Sequence, residues 1–139
     1  MVSEYFLDSD IILDLLMDRK PFSEDSKVIF QLSGAGQIHI YCSSIIVTNV
    51  FYIIRKTFGK QKAVESVGSL LNFCGILAVG EKEIRNAYQS DFSDFEDSIQ
   101  YHVATAKPEI QAIITRNKKD YILSKIPVIS PEEFLAFFK

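Results

Sequence analysis

Short apolar runs recur along this chain, each followed by a segment with helical periodicity, and that alternation restricts the fold more than any other feature of the sequence. Val2–Leu7 is β-compatible and gives out on Asp8; Gln37–Cys42 alternates as a strand does; Gly75–Val79, Ala112–Thr115 and Pro127–Ile129 are further short apolar runs. Between them lie helical patterns. Ile11, Ile12, Leu15 and Leu16 repeat at helical spacing behind the capping residues Asp8, Ser9 and Asp10, and end near Arg19, Lys20 and Pro21. Ser23 opens a second helix that stops before Gly34 and Gly36, and Ser43 and Ser44 cap a long apolar one through Arg55. Helices are further expected over about 60–73, 81–89 and 97–106, and from Pro131 onward. Strands that are apolar on both faces and alternate with helices predict a three-layer α/β/α domain around a mostly parallel five-stranded sheet.

A chain of 139 residues has room for one such core and not for two. With 47% hydrophobic and 24% charged residues it is a packed globular protein. Its mean hydropathy of +0.11 is high for a small domain, so a partner or a second copy is expected to cover part of the apolar surface. No apolar run reaches the roughly 20 residues of a membrane helix, and the first eight residues lack a basic leader, so a cytoplasmic protein is expected. Cys42 and Cys74 have no Cys-x-x-Cys spacing and read as buried thiols; His39 and His102 lack matching ligands, so zinc is not expected. The net charge of −3 excludes a general electrostatic hold on nucleic acid and leaves only a local patch.

In parallel sheets ligands bind beyond the carboxyl ends of the strands. Asp8 stands at such an end, and Thr115, Arg116 and Asn117 stand at another. Asp10, directly before Ile11, reads as a helix cap, whereas Asp8 sits at the rim where a charge is useful and a cap is not needed. In the acidic run from Asp91 to Asp97, Ser93 and Glu96 match a capping box, while Asp97 heads a semi-apolar stripe with Tyr101 and Ala104 and needs a cation partner. Asn49 lies in the most apolar helix and has two open readings: a satisfied core amide, or a neutral oxygen ligand that orients water. Arg116, Lys118 and Lys119 form the local basic patch and are candidates for phosphate contact.

The order of these pieces resembles the PIN domain, the nuclease fold of many prokaryotic toxin ribonucleases. The resemblance spans nearly the whole chain and rests on Phe6 to Asp14, Ser43 to Asn49, Asp94 to Asp97, Thr115 to Tyr121 and the closing Ile126 to Phe134. It implies a metal-dependent endoribonuclease acting on single-stranded RNA, with Asp8 and Asp97 binding magnesium or manganese. Asn117 and Asp120 would position water or a second ion, with Thr115 and Glu96 supporting. It also implies a small antitoxin partner and a homodimer. The family's usual second acid, Glu, is here Asn49. That lowers the charge of the site, so one moderately bound ion is expected, and a catalytically silent module that binds RNA or a protein is the alternative.

Overall fold

The computed structural model describes residues 2–138. Five strands, β1 (Ser3–Leu7), β2 (Ile38–Ser43), β3 (Cys74–Leu77), β4 (Ile110–Ile114) and β5 (Val128–Ile129), form one sheet in the order β3-β2-β1-β4-β5. Every pairing is parallel, as the apolar runs predict. The chain winds outward from the central β1 to β3, then returns to β1's other side with β4. The crevice beyond β1 and β4 is therefore the point where the strand order reverses, the usual place for a ligand in such sheets.

Seven helices cover the two faces: α1 (Ser9–Leu16), α2 (Ser23–Gly34), α3 (Ser44–Phe58), α4 (Lys60–Phe73), α5 (Glu81–Gln89), α6 (Phe95–Thr105) and α7 (Pro131–Phe138). Their inner faces close on Phe6, Leu7, Ile38, Ile40, Ile113 and Ile114, all essentially inaccessible to water. Most of the expected boundaries hold within two residues. The largest difference lies after α1, which stops at Leu16 because the chain turns through Asp18 at a positive φ of 50°. Cys42 and Cys74, distant in sequence, lie on adjoining strands as buried free thiols. Among the described residues no helix is long and apolar enough to cross a membrane.

Asp14 is the most deeply buried charge and joins two parts of the fold. Its side chain is 0% exposed and accepts two hydrogen bonds from Arg116, from Nε at 2.6 Å and from Nη2 at 2.9 Å. Arg19 stands 3.8 Å away on the same carboxylate, and the Arg116 guanidinium lies 3.8 Å from the centre of the Phe22 ring. The fork geometry makes this a two-point clamp between α1 and the segment after β4. A carboxylate in that position without its partner is costly. Arg116→Ala should therefore destabilise the protein by about 3 kcal/mol in urea denaturation; a loss of under about 0.5 kcal/mol, the size of an exposed pair, would contradict the clamp.

Candidate active site and metal centre

Three parts of the chain reach the carboxyl edge of the sheet. The end of β1 delivers Asp8 and the start of α1, and the end of β4 delivers Thr115–Asn117. Because α6 leads into β4 and packs back across the sheet, its first turn, with Glu96 and Asp97, opens at the same edge. The parallel pairing of Leu7 with Ile114 continues one residue further, with the Asp8 backbone N–H donating to the Ile114 carbonyl at 3.1 Å. Asp8 and Thr115 are thereby forced together, and the Thr115 hydroxyl donates to Asp8 Oδ2 at 3.0 Å.

The two aspartates of α1 exchange the roles expected of them. Asp8 is the N-cap, in extended conformation, with Oδ1 accepting from the Ser9 N–H at 2.8 Å. Asp10 also accepts from the Ile11 N–H, but its Oδ2 turns across the crevice. There it receives the Arg116 N–H at 2.8 Å, the Thr115 hydroxyl at 3.3 Å and the Asn117 side-chain amide at 3.3 Å. It ties α1 to the loop after β4, a role beyond the cap expected of it, because three donors converge on that oxygen. Asn117 further donates its N–H to the Thr115 hydroxyl.

On α6 the capping pattern differs from the expected box. Asp94, rather than Ser93, is the N-cap and accepts from the Asp97 N–H at 2.9 Å. The helix starts one residue later than the box requires, and Glu96 is released from capping. Glu96 Oε1 instead accepts from the Asn49 side-chain amide at 2.6 Å. Asn49 is half-buried on the second turn of α3, so it is neither of the residues first imagined, a sealed core amide or a lone neutral ligand. It holds a carboxylate at the position where its own charge is missing.

Electrostatics marks two carboxylates as the under-compensated ones. Burial, with the charge of Asp10 added, raises Asp8 from 3.8 to about 6, against the lowering effect of its hydrogen bonds from Ser9 and Thr115. Burial and then the charges of Asp8, Asp94, Asp120 and Glu96 raise Asp97 to about 7. Asp10 is also raised, by burial first. No Lys or Arg figures among the influences on Asp8 or Asp97, whereas Asp14, one turn further along α1, has Arg116. A group of like charges held together at the mouth of a crevice without a cation is what a divalent ion would relieve.

Among the described residues no three Asp, Glu, His or Cys side chains form a ready-made cage. Magnesium does not need one, since it keeps several waters and is commonly held by one or two carboxylates together with substrate phosphate. Asp8 and Asp97 fit that requirement, with Asp120 and Glu96 near enough to influence Asp97.

The expected phosphate contacts are sorted by the structure. Arg116 is occupied by Asp14, and Lys118 donates to Glu133 at 2.8 Å. Lys119 is exposed and makes no ion pair among the described residues. Two residues of the region were not foreseen. Asp14 could have been found, because Asp10 and Asp14 are four apart on an otherwise apolar helix and so share a face. Tyr121, whose hydroxyl is buried beside Asp8 and Asp97, carries no signal in the sequence that separates it from a core aromatic.

This fold and acidic crevice define a nuclease-type α/β domain, and the PIN domain profile matches residues 4–119. The chain belongs to the PIN-domain family. Ribonuclease VapC1 of Aquifex aeolicus (strain VF5) is 28% identical over 134 residues, covering 93% of this chain and 91% of that protein. Among solved structures, VapBC2 from Rickettsia felis bound to a DNA fragment from its promoter aligns with a TM-score of 0.70 at 15% identity, over 91% of this chain and 98% of that one. Mycobacterium tuberculosis VapC20, a sarcin-ricin loop cleaving toxin, aligns with a TM-score of 0.63 at 16% identity, over 80% of this chain and 87% of that one. At these identities the structural likeness speaks for the fold.

The raised carboxylates make stability depend on pH in a definite direction. The folded state binds protons more tightly than the unfolded chain, so without metal its stability falls as pH rises from about 4 to about 7. For Asp8 the change from 3.8 to about 6 is on the order of 3 kcal/mol; Asp97 is half exposed, so solvent screening reduces its share. Urea denaturation in chelator should show a weaker protein at about pH 8 than at about pH 5, and Asp8→Asn should remove most of the difference. A parent that is more stable at the higher pH would contradict this account of the cluster.

Proposed function

We propose that the protein is a divalent-metal-dependent endoribonuclease that hydrolyses single-stranded RNA as the toxin of a toxin–antitoxin pair. The observation that carries the proposal is the pair of raised, cation-poor carboxylates, Asp8 and Asp97, at the strand-order reversal of a PIN fold. The ribonuclease name of the Aquifex relative supports the reaction type, and the VapBC structures support an antitoxin partner.

In this reading Asp8 and Asp97 bind Mg2+ or Mn2+ directly. The ion, when bound, supplies Lewis acidity at the scissile phosphate and lowers the pKa of a bound water. The rest is work for the chain's own side chains. Thr115 fixes the Asp8 carboxylate, and Asp10, through Thr115, Arg116 and Asn117, fixes the loop that carries Asp120. Asp120 and Asn117 orient water or a second ion at the edge of the site. Glu96, steadied by Asn49, returns negative charge at the place where relatives of this type commonly carry Glu. Lys119, and Lys118 by exchanging Glu133 for phosphate, steer the RNA backbone, while Arg116 serves as the clamp on Asp14.

The exposed apolar side chains Tyr52 and Phe58 on α3 and Val64, Leu71 and Phe73 on α4 give the antitoxin, or a second copy of the chain, an apolar surface to cover. A catalytically silent module that binds RNA or protein is the other reading, and the neutral Asn49 favours it. The Asn49–Glu96 hydrogen bond weighs against it, because the charge absent from α3 is present on α6.

Purified protein should cleave single-stranded RNA when magnesium or manganese is added and stop in chelator. Asp8→Asn and Asp97→Asn should each reduce the rate at least about 100-fold, and Glu96→Gln about tenfold, as expected for loss of a ligand and of a supporting group. Equal cleavage by parent and both Asn variants would remove the proposal. Tight RNA binding without any cleavage would favour the silent module.

A further inference from the structure

Tyr121 closes the short 3-10 turn Lys118–Tyr121 that follows β4, and its ring is held from one side by aromatic packing. The Phe92 ring meets it edge-on at 6.4 Å, and Phe92 in turn lies 5.0 Å from the Tyr101 ring of α6. A phenylalanine would serve that packing equally well. What phenylalanine lacks is the hydroxyl, and the hydroxyl is the unusual part. The residue is 2% exposed, and its oxygen is shielded from water without a hydrogen-bond partner of good geometry among the described residues. Buried polar atoms in proteins almost always have a partner.

The direction of that hydroxyl is informative. The groups that influence it after burial itself are Asp8, Asp97 and Asp10, which are the acids of the crevice, and it acts in return on Asp8. Asp8 has one oxygen engaged by the Ser9 N–H and the other by the Thr115 hydroxyl, which leaves a lone pair on each. A carboxylate that binds an ion must offer one lone pair outward and keep the others from rotating it away. Ligating carboxylates are commonly held by such outer hydrogen bonds.

We propose that Tyr121 is a positioning residue of the metal centre: its buried hydroxyl donates to the Asp8 carboxylate and holds the remaining lone pair toward Asp97. The inference rests on the proposed metal site and adds to it a third fixed donor, besides Ser9 and Thr115, on the first ligand. Tyr121 touches neither the ion nor the RNA. It acts through Asp8, and its ring, fixed against Phe92, makes the donor rigid. The same turn carries Asp120, so the orientation of Asp8 and the placement of Asp120 are coupled through one short segment.

The test is a manganese titration of the parent and of Tyr121→Phe, followed by the electron paramagnetic resonance signal of the free ion, with urea denaturation of both in chelator. Tyr121→Phe should bind manganese about tenfold more weakly, the size found when an outer partner of a metal ligand is removed, while its metal-free stability is equal to the parent's or higher. Addition of magnesium to the parent should also perturb the near-ultraviolet tyrosine absorbance, and that change should be absent from Tyr121→Phe. Manganese affinity within about twofold of the parent, together with an unchanged magnesium-induced difference spectrum, would show a hydroxyl with no part in the site and overturn the inference, while leaving the site itself standing. A parent that binds no manganese at millimolar concentration would remove both the metal site and the inference built on it.

Discussion

The pairing of β1 with β4 is the constraint on which the site depends. These strands are parallel, central and buried, and their register sets Leu7 beside Ile114 and Asp8 beside Thr115. A slip of one residue would turn every side chain of β1 to the other face, replacing Phe6 and Leu7 in the core and moving Asp8 away from the crevice. The hydrophobic core therefore enforces the chemistry: the same apolar side chains that stabilise the sheet decide where the first carboxylate stands. The acids of α6 follow from topology in the same way, since a helix that runs back toward the start of β4 must begin at the carboxyl edge.

Negative charge at that edge is handled in two contrasting ways. Asp14 is buried, but Arg116 neutralises it with two hydrogen bonds, and the pair joins α1 to the loop after β4. Asp8 and Asp97 have no such cation, and both protonate well above the ordinary range of an aspartate. The first arrangement contributes rigidity; the second stores unfavourable charge at a place reached from solvent. Proteins retain such a cost where it serves function, and perturbed carboxylates in a crevice are a recognised mark of a functional site. Asn49 moderates the cost by omitting one charge from α3, and Glu96 places that charge on α6, nearer the solvent.

Much of this was legible before any coordinates. The alternation of apolar runs and helical periods carries the layers and the parallel sheet, because strand burial and helix amphipathicity leave period-specific marks. Asp8 and Asp97 stand out by position, one at a strand end and one heading a stripe. The cap assignments were less legible. Asp8 and Asp10 are two residues apart, as are Asp94 and Glu96, and a start displaced by a single residue reassigns both roles. Arg116 looked like a phosphate contact because sequence shows its charge and not its partner, and Asp14 is distant in the chain. The Asn49–Glu96 bond and the Tyr121 hydroxyl depend on side-chain direction across three elements, which no local pattern encodes.

The central claim is that Asp8 and Asp97 together hold a divalent cation. Crystals grown or soaked with manganese, with diffraction recorded on the low-wavelength side of the manganese absorption edge, test it most directly. The account predicts an anomalous difference peak between the two carboxylates, at a distance from each of about 2 Å that suits direct coordination. A map with no peak between them at millimolar manganese, or with manganese bound only elsewhere on the protein, would contradict it.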